Sequence, residues 1–282
     1  MSKGVLYVCP TPIGNLEDIT LRVLRVLKEV DLIAAEDTRH TIKLLNHFQI
    51  STPLTSYHEH NETSKGPKLI DQLQKGKKIA LVSDAGMPGI SDPGLHLIDL
   101  AWQAGIKVEV LPGPNAGLTA LVAAGMAELP FTFFGFLPHH KKERRQLWRK
   151  LRQHPYTLVF YEAPHRLRLL LEEIREYCPT AQIAIARELT KVHEEIVRGQ
   201  VEEIMHWWEE KQPRGEFVVI LNPGKKEGQN EEETETHTED RALMRARQLM
   251  ETGMSLKEAA RQAAAETGFS RREIYQRLLT KE

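Results

Sequence analysis

The chain has 282 residues, of which 41% are hydrophobic and 27% charged, a composition typical of a globular protein with about two domains. Its net charge of −1 excludes a uniformly basic nucleic-acid-binding protein, so any contact with nucleic acid must come from a local patch. Cys9 and Cys178 are too few for a disulfide framework, and no apolar run reaches the ~20 residues of a membrane span, so the expected location is the cytoplasm.

The first 128 residues alternate strand-like and helix-like segments, which is typical of a doubly wound parallel sheet. Apolar runs predict strands at 4–9, 32–35, 79–82 and 108–111. Apolar residues at helical spacing predict helices at 18–30, 41–48, 69–74 and 92–104. Residues 129–224 repeat the alternation and predict a second α/β domain with a mixed sheet. Its predicted strands are 131–136, 156–161, 181–186 and 216–221, and its helices are 139–153, 166–177 and 201–208.

The last part of the chain changes in composition. Residues 225–240 contain seven acidic residues and no apolar periodicity, which predicts a flexible linker. Residues 241–282 carry nine Lys and Arg against five Asp and Glu, and they predict helices at 242–250, 256–266 and 271–279. Two interpretations stay open: a helix-turn-helix-like module that contacts RNA through Arg271 and Arg272, or a helical docking appendage.

Two glycine-bearing loops follow strands of the first predicted sheet, at the edge where open α/β sheets bind ligands. Their sequences are SDAGMPGISDPG at 83–94 and LPGPNAGLTA at 111–120. The glycines let a ligand approach the backbone, and Asp84 and Asp92 can accept hydrogen bonds from ribose hydroxyls or an amine. The loop after the first strand, PTPIGNL at 10–16, has neither a dinucleotide-binding nor a Walker A pattern. A ligand site and ordinary turns therefore both stay open.

These loops resemble those of the tetrapyrrole methylase superfamily of S-adenosylmethionine-dependent methyltransferases, over roughly residues 5–221. Residues 83–94 stand where that family has a G-D-P-type segment, and residues 112–116 look like its P-G-[IV]-[ST]-[SA] segment. The small-subunit ribosomal RNA cytidine 2′-O-methyltransferases are the most similar branch. The segments that match them are AAEDTRHT, SYHEHNE, FYEAPHR, ARELTKVHEE and RGEFVV. The first loop departs from the G-x-G-P-G-D of the tetrapyrrole enzymes, which argues against a tetrapyrrole substrate.

The resemblance implies two α/β domains with S-adenosylmethionine in the cleft between them. It also implies a homodimer that methylates a cytidine near the decoding centre, in small-subunit ribosomal RNA or in the assembled subunit. The first-domain residues expected to hold the cofactor are Ser83, Asp84, Ala85, Gly86, Pro88, Pro112, Gly113, Pro114, Asn115 and Ala116. Those expected from the second domain, with core packing or salt bridging as the alternative, are Phe160, Tyr161, Glu162, Arg187, Glu188, Glu216 and Phe217.

Polar clusters at two strand ends of the first domain offer a general base, which helps because a ribose hydroxyl is a poor acid. We predict Asp37 or His58 as this base and Arg39 as a phosphate ligand. A metal site that includes Asp37, His58 and His60 is the rival interpretation. Methyl transfer from a sulfonium needs no metal, so none is expected.

The predicted helix at 139–153 contains the basic stretch HHKKERRQLWRKLR, with seven Lys and Arg, one Glu and one Trp. This pattern predicts contact with an RNA backbone, with a solvated helix face as the alternative. The predicted contact residues are Lys141, Lys142, Arg144, Arg145 and Arg149. Three functions compete: an RNA ribose methyltransferase, a small-molecule methyltransferase of the same fold, and a non-enzymatic RNA-binding assembly factor. The basic patches, together with the cofactor-type loops, favour the first.

Overall fold

The computed structural model describes residues 3–211, 214–224, 242–250, 253–267 and 269–279. The chain divides into two compact units, Met1–Gly224 and Lys225–Glu282. The predicted linker at 225–240 lies outside the described residues. Within the described part of the chain, every helix is too short or too polar to cross a membrane.

The first sheet of the larger unit is entirely parallel, as predicted. Its strands are β1 (Val5–Val8), β2 (Leu32–Ala35), β3 (Leu54–Ser56), β4 (Ile79–Val82) and β5 (Lys107–Val110). They lie side by side in the order β3-β2-β4-β1-β5. The connecting helices are α1 (Leu21–Glu29), α2 (Thr38–His47), α3 (Glu62–Gln74) and α4 (Leu95–Gln103). Strand β4 is buried along its whole length because helices cover both faces of the sheet.

The second sheet is mixed, which confirms the expectation of an α/β fold with two different sheets. Its strands are β6 (Phe131–Phe136), β7 (Thr157–Glu162), β8 (Gln182–Arg187), β9 (Glu195–Gln200) and β10 (Phe217–Asn222). They lie in the order β6-β7-β10-β8-β9, and only β6 and β7 run parallel. The helices that follow its strands are α6 (Lys141–Leu151), α7 (Pro164–Tyr177) and α8 (Val201–Lys211).

Helix α5 (Ala116–Ala123) follows β5 of the first sheet but packs against the second sheet. Its Ala120 and Leu121 share a buried cluster with Val159 of β7 and Val218 of β10. The sequence boundary at 128/129 places this helix in the first domain. Its packing places the change between the two cores before α5, because side-chain burial rather than chain order decides which core a helix joins.

Two strands, β3 and β9, were not predicted because neither gives a clear apolar signal. Strand β3 has three half-buried residues, and β9 alternates half-buried and exposed residues at the edge of its sheet. The helix predicted at 18–30 begins later, at α1, where the Thr20 side chain accepts the hydrogen bond of the Val23 N–H. The helix predicted at 92–104 begins at Leu95, after Gly94 with its φ of 148°.

The smaller unit contains the three helices that the sequence predicts: α9 (242–250), α10 (Leu256–Thr267) and α11 (Arg271–Leu279). Ala246, Ala260 and Ile274 are fully buried in its small core. Ser255 caps α10, since its hydroxyl bonds to both the backbone and the side chain of Glu258.

Candidate active site

Two adjoining cavities lie at the carboxyl ends of the first sheet's strands, where its loops meet the second sheet. Cavity 1, of about 330 Å³, is lined by the loop after β4, the start of α5 and the ends of β7 and β10. Cavity 2, of about 370 Å³, is lined by the loop after β1, by α2, and by Lys191 of the loop after β8. Ile13, Ala85 and Glu216 line both, so a thin wall separates the cavities.

A close contact between two loops holds this wall in place. The Asn15 N–H donates to the Thr190 hydroxyl at 3.0 Å. A Cβ on Gly14 would lie 2.5 Å from Cγ of Lys191 and 2.7 Å from the Thr190 hydroxyl. Only glycine fits this approach, which explains the glycine in a loop that otherwise resembles no phosphate-binding loop.

Gly86 ties the loop after β4 to the loop after β1. Gly86 and Thr11 exchange two backbone hydrogen bonds, of 2.9 and 3.0 Å. Gly86 has a φ of 80°, and a Cβ there would lie 3.4 Å from the Ile13 side chain. Since Gly86 lines cavity 1, the left-handed backbone keeps this cavity open beside Ile13.

The two cavities differ in charge. Cavity 1 is lined by Asp92, Glu162 and Glu216, and none of the described residues that line it is Lys, Arg or His. Cavity 2 carries Lys43 and Lys191, as well as His40, opposite Asp84 and Glu216. An acid-lined, partly apolar cavity favours a cationic ligand, whereas the cations of cavity 2 favour an anionic group.

Asp92 is the acid of cavity 1 that has no cationic partner among the described residues. Burial raises the pKa of Asp92 to about 6, and the negative charges of Glu36 and Asp84 act in the same direction. The Ser83 side chain lies near this carboxylate and acts in the opposite direction, while its hydroxyl donates to the Gly86 carbonyl at 3.4 Å. Ser83 lines cavity 2 and Asp92 lines cavity 1, so this carboxylate lies at the junction of the two cavities.

Glu36 and Asp84 form the acidic surroundings of Asp92 at the ends of β2 and β4. The Asp84 N–H donates to Glu36 Oε2 at 3.2 Å, and the Asp37 N–H donates to Asp84 Oδ1 at 3.1 Å. The pKa of Glu36 is raised, chiefly by burial. The cluster is thus fixed by backbone donors, and its two neighbouring acids raise the pKa of Asp92.

The negative charge of Glu162, which lines cavity 1, is neutralised by ion pairs with two arginines. Its side chain is fully buried, 3.3 Å from Arg166 Nε and 3.6 Å from Arg144 Nη2. Arg144 also pairs with Glu173, whose carboxylate accepts a hydrogen bond from Trp148. The prediction that Arg144 contacts RNA is wrong, because its guanidinium is only 3% exposed and points into this ion-pair network.

The aromatic wall of cavity 1 is ordered by Tyr161 and the start of α5. The Tyr161 hydroxyl accepts a hydrogen bond from the Gly117 N–H at 3.1 Å, and its ring packs edge-on against Phe133 and Phe136. Burial raises the pKa of Tyr161. Asn115 caps α5 through the Leu118 N–H. The first turn of α5 is thereby fixed where it meets the cavity.

The predicted base does not lie at either cavity. The Asp37 carboxylate caps α2 and pairs with the Arg39 side chain at 2.7 Å, and this hydrogen bond lowers the pKa of Asp37 to about 2. The His58 ring accepts from Asn61 Nδ2 at 3.0 Å. Neither Asp37 nor His58 lines cavity 1 or cavity 2, and their assignment as the base stays a prediction. The Arg39 side chain is 89% exposed, and its phosphate contact stays a prediction.

The structure brings about half of the predicted cofactor residues together. Those that line cavity 1 are Ala85, Gly86, Asn115, Ala116, Tyr161, Glu162, Glu216 and Phe217. Ser83 and Asp84 line cavity 2 instead. The residues that line neither cavity are Pro88, Pro112, Gly113, Pro114, Phe160, Arg187 and Glu188.

The residues that miss the cavities have structural roles. Phe160 is fully buried and stacks on Phe134, since alternate residues of a strand face opposite sides of the sheet. Arg187 donates to the Arg214 carbonyl, and Glu188 accepts from the Glu216 N–H and from Lys191. These contacts favour packing or salt bridging, the alternative interpretation for these residues, and their contact with a cofactor stays a prediction.

Sequence reasoning missed much of the apolar lining of cavity 1. The missed residues are Ile13, Met87, Ile90, Ser91, Phe136, Ala163, Pro164, Ala186, Leu189 and Val218. Apolar side chains carry no chemical signal in a sequence, and only the meeting of the two sheets makes them neighbours. In the part of the chain that the structure describes, no group of three or more His, Cys, Asp or Glu side chains is arranged to hold a metal.

The remaining predicted RNA contacts lie on exposed surfaces. Lys141, Lys142, Arg145 and Arg149 are exposed on α6, and Arg271 and Arg272 are exposed at the start of α11. These positions are compatible with binding a phosphate backbone, and the contact itself stays a prediction.

Comparison with protein families assigns most of the chain. The family Tetrapyrrole (Corrin/Porphyrin) Methylases matches residues 5–205, and the RsmI C-terminal HTH domain matches residues 237–282. The ribosomal RNA small subunit methyltransferase I of Halalkalibacterium halodurans is 48% identical over 97% of this chain and 94% of its own length. The protein of the same name from Thermotoga maritima is 47% identical over 78% of this chain and 98% of its own length.

Solved structures share the fold at lower identity. Diphthine synthase superposes with a TM-score of 0.62 at 14% identity and covers 77% of this chain and 90% of its own. A uroporphyrin-III C-methyltransferase from Thermus thermophilus, complexed with S-adenosylhomocysteine, gives a TM-score of 0.55 at 18% identity over 78% of this chain and 97% of its own.

Proposed function

The chain belongs to the tetrapyrrole methylase family, in the branch of the ribosomal RNA small subunit methyltransferases I, and from this premise we propose that it methylates the ribose 2′-hydroxyl of a cytidine in small-subunit ribosomal RNA. The methyl donor is S-adenosylmethionine. The observation that carries the proposal is the pair of adjoining cavities, one lined by acids and one bearing cations. A tetrapyrrole substrate is not favoured, because the relatives at 44–48% identity are all named as ribosomal RNA methyltransferases.

Cavity 1 fits S-adenosylmethionine in charge and in polarity. Of its three carboxylates, Glu162 and Glu216 are paired with cations, and that of Asp92 suits a sulfonium cation or an ammonium group. Glu162 lines this cavity, but its carboxylate is fully buried and pairs with Arg144 and Arg166, so it stabilises the cavity wall. Asn115, Ala116, Tyr161 and Phe217 would hold the rest of the cofactor.

When bound, S-adenosylmethionine supplies a methyl group that passes to the ribose oxygen as the carbon–sulfur bond breaks, its electron pair returns to the sulfur and the hydroxyl proton goes to a base. Asp92 is the residue placed to receive this proton, because it lies at the junction of the cavities. With its pKa raised to about 6, the Asp92 carboxylate is ionised at neutral pH and is more basic than an ordinary aspartate.

The apolar lining of cavity 1 excludes water and fixes the alignment that a one-step displacement needs. Ile13, Leu189 and Phe217 contribute this lining from the two sheets. The Gly14–Thr190 contact holds the loops of both sheets together. The chain's own contribution is therefore orientation, exclusion of water and one proton acceptor.

RNA binding is assigned to two basic surfaces. The exposed cations of α6 and the Arg271–Arg272 pair of α11 would contact phosphates, with an affinity that falls steeply with salt. The Thermotoga maritima relative matches over 98% of its own length with only 78% of this chain. We expect the smaller unit to contribute to the affinity for RNA rather than to the chemical step.

The oligomeric state that we propose is a homodimer, and the location is the cytoplasm, where small ribosomal subunits are made. The support for a dimer is an exposed apolar face on α5. Leu118 and Val122 lie one turn apart and are 52% and 71% exposed. An apolar face of this kind on a folded protein favours a protein partner. Light scattering on the wild type and on Val122→Asp tests this: a monomeric wild type would contradict the dimer.

A methyl-transfer assay tests the function. S-adenosylmethionine labelled in the methyl group is incubated with the protein and with either assembled small subunits or free ribosomal RNA. We expect label in RNA and one internucleotide bond that resists alkaline hydrolysis, because a 2′-O-methyl group blocks that reaction. Intact binding of the cofactor with no label in any RNA would contradict the proposal and favour a small-molecule acceptor.

A further inference from the structure

We propose that cavity 2 is the site of the acceptor nucleotide and that Lys43 binds the phosphate next to the reacting ribose. This inference rests on the proposed function. An in-line displacement needs the acceptor oxygen on the side of the methyl group opposite the sulfur. The binding site of the acceptor must therefore adjoin that of the cofactor. Cavity 2 meets this condition because it shares Ile13, Ala85 and Glu216 with cavity 1.

The charges of cavity 2 leave one cation available for a phosphate. Lys191 is engaged by Glu188 and Glu216, at 2.9 Å from each. Asp84 accepts the backbone N–H of Asp37. Lys43 is exposed on α2, and its side-chain ammonium makes no hydrogen bond or ion pair with any residue that the structure describes. Lys43 can therefore take a phosphate without breaking an existing contact, whereas Lys191 cannot.

The other walls of cavity 2 offer groups that suit a nucleoside. Thr11, His40, Ser83 and Asp84 bring hydroxyl, imidazole and carboxylate groups to its surface. A volume of about 370 Å³ lies within the size range of small-ligand sites. Enzymes that modify nucleotides take the target out of the stack into such a pocket. A ribose in cavity 2 would also lie on the Ser83 side of Asp92, which is the proton acceptor proposed above.

The test compares Lys43→Ala, Lys43→Glu and Lys43→Arg with Lys68→Glu. Lys68 is exposed on α3 and lines neither cavity, so Lys68→Glu makes the same change of charge away from the site. Calorimetry measures the Kd for S-adenosylmethionine, and methyl transfer to small subunits gives KM and kcat over a range of salt concentrations.

For Lys43→Ala we expect the KM for the subunit to rise about tenfold, as for loss of one charged hydrogen bond, and the salt dependence of binding to fall by about one phosphate contact. Lys43→Glu should raise the KM further, Lys43→Arg should restore it, and Lys68→Glu should leave it near the wild-type value. The Kd for S-adenosylmethionine should stay unchanged in all four variants.

The outcomes separate this inference from the function on which it rests. If the wild type methylates no RNA, the proposed function fails. If the wild type is active and Lys43→Glu has the same KM as Lys68→Glu, cavity 2 is not the acceptor site. A weaker affinity for S-adenosylmethionine in the Lys43 variants would also overturn the inference, because cavity 2 would then belong to the cofactor.

Discussion

Cavity 1 and cavity 2 share a wall but handle their acidic groups differently. In cavity 1, Arg144 and Arg166 form ion pairs with Glu162, whereas Asp92 has no cationic partner among the residues that the structure describes. In cavity 2, Lys191 neutralises Glu216 and Lys43 remains available. The two cavities thus differ in their charged lining, and burial raises the pKa of Asp92 in cavity 1 to about 6. The contrast teaches that charge compensation, rather than residue type, separates the binding groups from the group that moves a proton.

The largest expected effect is the loss of cofactor affinity in Gly86→Val, because Gly86 lies beside Ile13 in the wall between the two cavities. The new side chain must adopt a φ of 80° and would meet Ile13, so we expect the affinity for S-adenosylmethionine to fall about a hundredfold or more. Gly105→Val is the control, because Gly105 also has a positive φ, of 61°, but lines neither cavity. Calorimetry on both folded variants checks this. Equal affinities for the two variants would remove Gly86 from the cofactor site.

Asp92→Asn tests whether Asp92 differs from the other acids of cavity 1 in accepting the proton. Loss of the proton acceptor should lower kcat about a hundredfold, with a much smaller change in the Kd for S-adenosylmethionine. In the wild type, kcat/KM should rise with pH and level off above about 6, because the carboxylate must be ionised to accept a proton. Asp99→Asn on α4 lines neither cavity and is the control. A variant with wild-type kcat and the same pH profile would show that Asp92 is not the base.

Removal of residues 225–282 tests whether the two cavities suffice for the reaction. The truncated chain corresponds to the compact unit Met1–Gly224. We expect the affinity for S-adenosylmethionine and the kcat to be retained, while the KM for the small subunit rises about tenfold through loss of phosphate contacts. Filter binding and methyl transfer measure these quantities. An unchanged KM would leave the smaller unit without a role in RNA binding.

The smallest expected effect is on stability and again concerns Asp92. Because its pKa is raised to about 6 in the folded state, the folded chain binds more protons than the unfolded chain between about pH 4 and pH 6. Ionisation of Asp92 therefore lowers stability as the pH rises through this window. Asp92→Asn should raise the Tm by a few degrees at pH 7 and leave it unchanged below pH 4. Thermal melts at both pH values check the sign, and a lower Tm at pH 7 would contradict it.

The sequence predicted the strands of the first sheet that carry the site, and the loops that end them. It also identified Ala85, Gly86, Asn115 and Tyr161 as parts of one site through the resemblance of their segments. It named Asp37 and His58 as candidates for the base because their side chains have suitable chemistry. Hydrogen bonds made after folding, to Arg39 and Asn61, give those groups other tasks.

Arg144 and Asp92 show that the role of a charged residue cannot be predicted from its position in the sequence alone. In the sequence, Arg144 is one of seven cations in a basic stretch, and nothing separates it from Arg145. Helical geometry turns one into the core and the other into solvent. Asp92 was noted only as a hydrogen-bond acceptor, because its raised pKa depends on burial and on two acids that follow other strands.

By itself, the sequence determined the alternation of strands and helices, the α/β fold and the family, since these depend on local periodicity and on contiguous motifs. Only the tertiary structure decided that α5 belongs to the second core, that Arg144 is buried and that an acid-lined cavity adjoins a cavity bearing lysines at Ala85 and Ile13. These features arise where segments far apart in the chain meet. Burial and charge compensation there depend on all the partners at once.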